Sequence, residues 1–419
     1  MSDLADRVER ACREAREAAG VLGHTSTDQR NRALKAIAEA LVQEAAVILD
    51  ANAEDLRAAR ERGTSGALLD RLALDRQRIQ GMAQGLRELV ALPDPVGSIE
   101  DLRTRPNGLL VGRMRIPLGV VAMIYEARPN VTADAAGLCL KSGNAVVLRG
   151  GSEAFRSNRA IGEAIARGVT AAGLPAGAVQ VLDTPDRAAV DALLAQDRFV
   201  DLVIPRGSAG LVRSVQSRTR IPVLAHAEGV CHVFVDASAD LEMAEAIAVN
   251  AKVQRPGVCN AMETLLVHQD AADTFLPRVV AAMRSHGVEV RGCPESRARV
   301  PDLRPAVEED FGKEFLDLIL ALRVVESLEA AVAHIRRYGS RHTDAIVTRD
   351  HAAAMRFLRE VDSSLVLVNA STRFNDGAQL GLGAEIGIST TPFHAFGPMG
   401  LEELTARKWV ALGSGQVRE

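Results

Sequence analysis

The chain has 419 residues, of which 47% are hydrophobic and 25% charged, and its formal net charge is −4. These are globular values in a chain long enough for two domains or more. Interspersed charge of both signs and only 3% aromatic residues argue against a nucleic-acid binder.

No apolar run reaches membrane-spanning length, and the N-terminus, Met1-Ser2-Asp3-Leu4-Ala5-Asp6-Arg7, lacks the basic-then-apolar pattern of a secretory signal. Five scattered cysteines without a CxxC pair speak against a disulfide framework or a structural zinc site and fit a reducing cytosol. The histidines at 226, 232, 334, 342 and 394 show no metal-ligand spacing, so no metal is expected.

From about Leu4 to Arg62 the pattern is helical, with Leu34, Ile37, Leu41 and Ala45 at helical spacing and Glu39 and Gln43 outside. Asp50 and Asn52 are read as a break, and the whole region as a solvated helical layer. Further on, Asn107-Gly108 separates two extended, partly alternating runs, which predicts a hairpin. Such a hairpin must lie on another domain or subunit. The tail from Leu401 is a candidate to pair with it.

From Gly119 strands and helices take turns. Strands are expected at Val120–Ala127, Ala145–Arg149, Val179–Asp183, Asp201–Pro205 and Val223–His226, separated by helices at Ala133–Lys141, Asn158–Ala172, Arg187–Gln196 and Ala209–Arg218. Strict alternation implies right-handed βαβ units and a parallel sheet. A second series predicts strands at Val233–Asp236, Thr264–His268, Leu318–Val325, Ala345–Thr348 and Leu365–Asn369, hence a second α/β domain.

Open parallel sheets bind ligands at the carboxyl ends of their strands. Arg149-Gly150-Gly151-Ser152 sits at such an end and opens a helix, and Arg206-Gly207-Ser208 repeats the arrangement. Either can be an ordinary βα turn; two on successive units point to a dinucleotide, whose phosphates would meet backbone N–H groups. Arg149 stands where an acid would hold a ribose 2′-hydroxyl, which suits a 2′-phosphate and therefore NADPH, with Glu153 nearby as a counterweight.

Arg128 can clamp an anion through both guanidinium arms, and Asn130 either donates to an oxyanion or caps a helix. In Val253-Gln254-Arg255-Pro256-Gly257-Val258-Cys259-Asn260 a thiol follows a Pro-Gly turn near Arg255 and Lys252, where positive charge favours the thiolate. The alternative is a buried structural cysteine. Cys139 and Cys231 read as structural, Cys12 and Cys293 as surface cysteines. Ser371-Thr372-Arg373 puts hydroxyls and a cation after the last strand, as a site or as a polar turn, and Gly381–Gly387 is flexible enough for a lid or a subunit contact.

Several long motifs resemble the gamma-glutamyl phosphate reductase family, also called glutamate-5-semialdehyde dehydrogenases, a branch of the aldehyde dehydrogenase superfamily. They are Tyr125-Glu126-Ala127-Arg128-Pro129-Asn130-Val131-Thr132, Leu140-Lys141-Ser142-Gly143-Asn144-Ala145, Arg149-Gly150-Gly151-Ser152-Glu153-Ala154 and Gln254-Arg255-Pro256-Gly257-Val258-Cys259-Asn260-Ala261. Tyr338-Gly339-Ser340, His342-Thr343-Asp344-Ala345-Ile346-Val347-Thr348 and Ala370-Ser371-Thr372-Arg373-Phe374 belong with them, and the match runs nearly end to end.

The resemblance implies two Rossmann-like α/β domains plus a small β-hairpin oligomerisation element. In this sequence these are a cofactor domain at 1–98 and 117–227, a catalytic domain at 228–400, and the oligomerisation element at 99–116 with 401–419. It implies Cys259 as nucleophile, Asn130 with the Cys259 backbone N–H as oxyanion donors, and Glu314 on the nicotinamide ribose. Arg149, Gly150, Gly151, Ser152, Gly207 and Ser208 would hold NADPH or NADP+, while Arg128, Arg255, Thr372 and Arg373 would hold the substrate.

The implied reaction is NADPH-dependent reduction of L-glutamyl 5-phosphate to L-glutamate 5-semialdehyde through a cysteine thioester, in proline biosynthesis. It would take place in the cytoplasm, carried out by a homo-oligomer, with glutamate 5-kinase as an optional associate. The sequence departs from the family at Phe396, where an arginine is usual, and more mildly at Phe311 and Phe315. The glutamate that serves hydrolytic aldehyde dehydrogenases as base falls near His226, with Glu228 out of register. A hydrolytic aldehyde dehydrogenase and an inactive nucleotide-binding module or kinase partner remain the alternative readings.

Overall fold

The computed structural model describes residues 2–64, 66–224 and 228–418. The chain forms two compact units: Met1–Ala225 with Leu382–Gly387 and Met399–Glu419, and His226–Gly381 with Ile388–Pro398.

The first unit opens with helices α1 (Ser2–Leu22), α2 (Thr27–Gln43), α3 (Ala45–Glu61), α4 (Gly66–Leu72) and α5 (Arg76–Ala91). Strands β1 (Ile99–Thr104) and β2 (Leu110–Pro117) lead into β3 (Val120–Tyr125), α6 (Asn130–Lys141), β4 (Ala145–Gly150), α7 (Phe155–Ala171), β5 (Val179–Val181), α8 (Ala188–Leu194), β6 (Leu202–Arg206) and α9 (Ala209–Arg218). The last four strands make a parallel sheet in the order β5-β4-β3-β6. Every residue of β3 is buried, as expected of a central parallel strand covered on both faces.

The N-terminal helices are more than a solvated layer. Ala33, Leu34, Ile37, Ala38 and Leu41 of α2 are fully buried, and α2 packs on α5 and α7. Nor does the chain break at Asp50 and Asn52. Helix α3 runs through both, and the break falls at Glu44. Asn52 stays inside the helix because its amide is fully used: Nδ2 donates to Leu72 O at 2.9 Å and to Ser157 Oγ at 3.0 Å, and Oδ1 accepts from Leu74 N at 2.8 Å. A buried polar group with all its partners is tolerated where an exposed one would favour a turn.

The Asn107-Gly108 hairpin is present as the antiparallel pair β1–β2, with Gly108 at φ +82°. The C-terminal strand, Thr405–Leu412, pairs antiparallel with β2, so the tail completes a three-stranded sheet. Of the strand expected at Val223–His226, Val223 forms an isolated bridge to Val203, while His226 lies outside the described residues.

The second unit contains β7 (Cys231–Val235), α10 (Leu241–Val253), β8 (Met262–His268), α11 (Gln269–Ser285), β9 (Glu289–Gly292), α12 (Pro294–Arg299), β10 (Arg304–Pro305), β11 (Ile319–Val325), α13 (Leu328–Tyr338), β12 (Thr343–Val347), α14 (His351–Glu360) and β13 (Leu365–Val368). They form a parallel sheet in the order β10-β9-β11-β8-β7-β12-β13. Alternation along β7 sends Val233 and Val235 into a core with α10 and α11, and Phe234 into a second core where it stacks on Phe357 of α14.

Cys12 and Cys293, expected at the surface, are both buried. Cys12 lies inside α1 and Cys293 packs in an apolar cluster with Phe311 and Ala321, and burial pushes the Cys12 thiol up to about 12. Among the described residues no helix is long and apolar enough to cross a membrane.

Asn52→Ala strands Leu74 N–H and Leu72 C=O inside the helical layer. The expected loss is about 2–4 kcal/mol of stability, read as a lower urea midpoint at unchanged enzyme concentration.

Candidate active site

Cys259 is half-buried in the loop between α10 and β8. The two ends of that loop are tied by an ion pair, Lys252 Nζ to Glu263 Oε2 at 2.7 Å, with both side chains fully buried. Lys252 therefore serves a carboxylate rather than standing as an unpaired charge beside the thiol. Burial pushes the Glu263 carboxyl up to about 7, against the pull of Lys252, and lowers Lys252 in turn. Glu263 also accepts Leu316 N–H at 3.2 Å, which draws in the segment after Glu314.

The backbone of Cys259 packs against Gly229. A Cβ there would meet Cys259 O at 2.0 Å and Cys259 Cα at 2.7 Å, so glycine is required by close approach. Cys231 Sγ donates to Cys259 O at 3.2 Å from β7. Burial raises the Glu314 carboxyl, and the nearby backbone N–H of Gly229 opposes that shift. Glu314, Gly229 and Cys259 thus lie together.

The loop after β13 reaches the same place. Asn369, at φ +55°, closes it by accepting Thr348 N–H and donating to Thr348 O, each at 2.9 Å. Arg373 Nε then donates to Gln254 Oε1 at 2.8 Å, and Nη1 to Asn260 Oδ1. Asn260 in turn donates to Asn375 O at 2.9 Å. Burial lowers the Arg373 pKa, the like charge of Arg255 lowers it further, and Asp376 and Cys259 oppose the shift. Thr372 is buried with its hydroxyl unpartnered. The structure therefore brings Cys259, Arg255, Thr372 and Arg373 together, while Phe396 lies on an exposed stretch.

In the first unit the expected residues gather at the carboxyl ends of β3, β4 and β6. Arg149 is buried. Its Nη1 donates to Gly150 O at 2.8 Å and its Nη2 to Pro185 O and Asp186 O, leaving Nε unpartnered. Ser152 is exposed at the turn before α7, and Glu153 folds back over Gly151 to accept Ala127 N–H at 2.6 Å. Ser208 caps α9, and its N–H donates to Glu126 Oε2 at 2.8 Å. The Gly207–Ser208 turn thus already receives a carboxylate on a backbone N–H, the interaction a ligand phosphate would use.

Asn130 is the first residue of α6, and its side chain does not cap the helix. Its Nδ2 donates to Asp134 Oδ2 at 2.9 Å, one turn on. Asn130 and Arg128 share a cleft of about 80 Å³ with Asp134, Arg206 and Glu385. Sequence reading gave Asp134 and Glu385 no role at the site and placed Arg206 only in a candidate phosphate loop. The i, i+4 spacing could have revealed Asp134, but nothing local marks Glu385, which is brought in from far along the chain.

Residues 2–292 match the family model "Aldehyde dehydrogenase family". The chain is 57% identical over 417 residues to the gamma-glutamyl phosphate reductase of Moorella thermoacetica, covering all of both chains. It is 47% identical to the gamma-glutamyl phosphate reductase of Thermotoga maritima, whose solved structure superposes with a TM-score of 0.97 over 98% of this chain and all of the other. An engineered glycolyl-CoA reductase with bound NADP+, 17% identical over 97% and 96% of the two chains, has the same fold at a TM-score of 0.68.

Lys252→Met leaves Glu263 buried without its cation, and about 3–5 kcal/mol of stability is expected to be lost. Combining it with Glu263→Leu removes both desolvation costs and should recover most of that loss in urea unfolding. A double variant no more stable than the single one would contradict this account of the pair.

Proposed function

Because this chain belongs to the aldehyde dehydrogenase family, in its gamma-glutamyl phosphate reductase branch, we propose that it reduces L-glutamyl 5-phosphate to L-glutamate 5-semialdehyde with release of phosphate, in cytoplasmic proline biosynthesis. One observation carries the reading: a half-buried thiol, Cys259, in a loop where Arg373 spends its hydrogen bonds on neutral amides and has a second arginine beside it. An anionic acyl phosphate suits that concentration of positive charge.

Cys259 acts as the nucleophile. Its thiolate attacks the acyl carbon, the C–O bond to phosphate breaks, and a thioester forms while the leaving phosphate takes up the one proton the reaction consumes. Arg255, Arg373 and Arg128 are assigned to the substrate's anions, and the Thr372 hydroxyl to one of their oxygens. Asn130 Nδ2 and the Cys259 backbone N–H are assigned to the oxyanion. When bound, the reduced nicotinamide supplies the hydride. The oxyanion then collapses, the C–S bond breaks, and Cys259 returns as thiolate with the aldehyde released. A residue that activated water would divert the thioester to glutamate, so the lack of a glutamate at position 226 favours the reductase over hydrolysis.

The residues present fit a dinucleotide phosphate. The backbone N–H of the Gly207–Ser208 turn donates to a carboxylate as it would to a phosphate, and the Arg149 guanidinium retains an unpartnered Nε. That guanidinium supports NADP over NAD, and Glu314 is assigned to the nicotinamide ribose. The first unit is read as the cofactor domain and the second as the catalytic domain. The three-stranded sheet exposes Ile99, Leu102, Trp409 and Leu412, which supports its role as an oligomer contact. Association with glutamate 5-kinase remains an optional partnership.

The test runs the reaction backwards, as NADP+ reduction with glutamate 5-semialdehyde. Activity should require inorganic phosphate and vanish in Cys259→Ala. Asn130→Ala should lower kcat about 100- to 1,000-fold, and Arg373→Ala should raise the KM for phosphate. Phosphate-independent production of glutamate would instead identify a hydrolytic enzyme.

A further inference from the structure

The cleft beside Asn130 is lined by charges of both signs. Arg128 and Arg206 supply two guanidiniums, and Asp134 and Glu385 two carboxylates. These come from separate elements: the turn after β3, the end of β6, the first turns of α6, and the 382–387 segment that rejoins the first unit. Arg206 Nη1 reaches that segment, since it would stand 3.4 Å from a Cβ on Gly387. The cleft holds about 80 Å³, room for several waters or a small polar group.

We infer that this cleft is the specificity subsite for the α-amino-acid head of the substrate, with Asp134 and Glu385 reading its ammonium and Arg206, with Arg128, its carboxylate. The inference rests on the proposed function and goes further, because it assigns residues to the end of the substrate that does not react. A ligand carrying only negative charge would gain from the arginines and be repelled by the two carboxylates. A ligand carrying only positive charge would meet the reverse. A zwitterion satisfies all four.

Asp134 shows that the cleft is not self-satisfied. Its carboxylate accepts from the neutral Asn130 amide and is drawn down by Arg206 across the cleft, yet burial outweighs both and pushes it up to about 6. A substrate ammonium would add a second cation and offset that burial. The same contact connects selectivity to chemistry, because the amide that donates to Asp134 belongs to the residue assigned to the oxyanion.

The experiment compares two aldehydes in phosphate-dependent NADP+ reduction: glutamate 5-semialdehyde and 5-oxopentanoate, which keeps the carboxylate but lacks the amino group. Wild-type enzyme should favour the first in kcat/KM. In Asp134→Asn, which is isosteric and removes a charge that burial disfavours, that preference should fall roughly 10- to 100-fold. Glu385→Gln should lower it in the same direction. Arg206→Gln should weaken both aldehydes together, since both carry the carboxylate. If Asp134→Asn slows the two aldehydes equally, or if both carboxylate variants keep the wild-type preference, the inference is overturned. If wild-type enzyme turns over neither aldehyde, the proposed function itself fails, and the inference with it.

Discussion

The second unit is organised around a buried ion pair that closes a short loop. Lys252 ends α10 and Glu263 begins β8, and between them the chain turns through Pro256 and Gly257 to present Cys259. Removing both charges from water costs several kcal/mol per ion, and burial still presses Glu263 toward its neutral form. A hydrophobic pair would be no less stable. An ion pair differs in being directional, because Glu263 uses one oxygen for Lys252 and the other for Leu316 N–H. One carboxylate therefore sets the registry of three segments: α10, the Cys259 loop, and the stretch that carries Glu314.

The rest of the loop's environment follows from that registry. Once Cys259 is seated, only glycine fits at 229, and the Gly229 backbone N–H then lies near the Glu314 carboxyl, opposing its upward shift. Arg373 completes the wall from the other side through Gln254 and Asn260, which flank the cysteine in sequence. Each contact falls on the Cys259 backbone or on its sequence neighbours rather than on the thiol. Under the proposed function the sulfur is thereby left to react while its backbone is fixed, the preorganisation that covalent catalysis requires.

Most of the fold was legible because central parallel strands are long apolar runs, as in β3, β8 and β11, and helices separate most of them in the sequence. Elements built from polar or very short segments were not. Strands β9 and β10 hold only a few residues, including Arg291 and Arg304, and carry too little periodicity to stand out. Asn52 misled for a physical reason: local propensity favours a turn, but its three hydrogen bonds come from residues 20 or more positions away, which no local window contains. The site divided in the same way. Cys259, Arg255 and Arg373 announce themselves through their neighbours in sequence. Gly229 acquires its role only from tertiary contact with Cys259, and Glu385 only because its segment returns to the first sheet.

Under the proposed assignment, the two arginines near Cys259 also account for direction. Arg255 and Arg373 repel each other, and burial adds to the cost for Arg373. Guanidinium keeps its proton in spite of such shifts, so relief comes from anions, and Asp376 offsets only part of the cost. An arriving acyl phosphate provides one next to the thiol. Once the thioester forms, the phosphate is no longer attached and can exchange with solvent, while the acyl group stays covalently held. Reversal then needs a second phosphate to bind at the same cations, so the charge that recruits the substrate also makes phosphate concentration the control on the back reaction. A neutral pocket would hold the acyl chain equally well but would exert no such control.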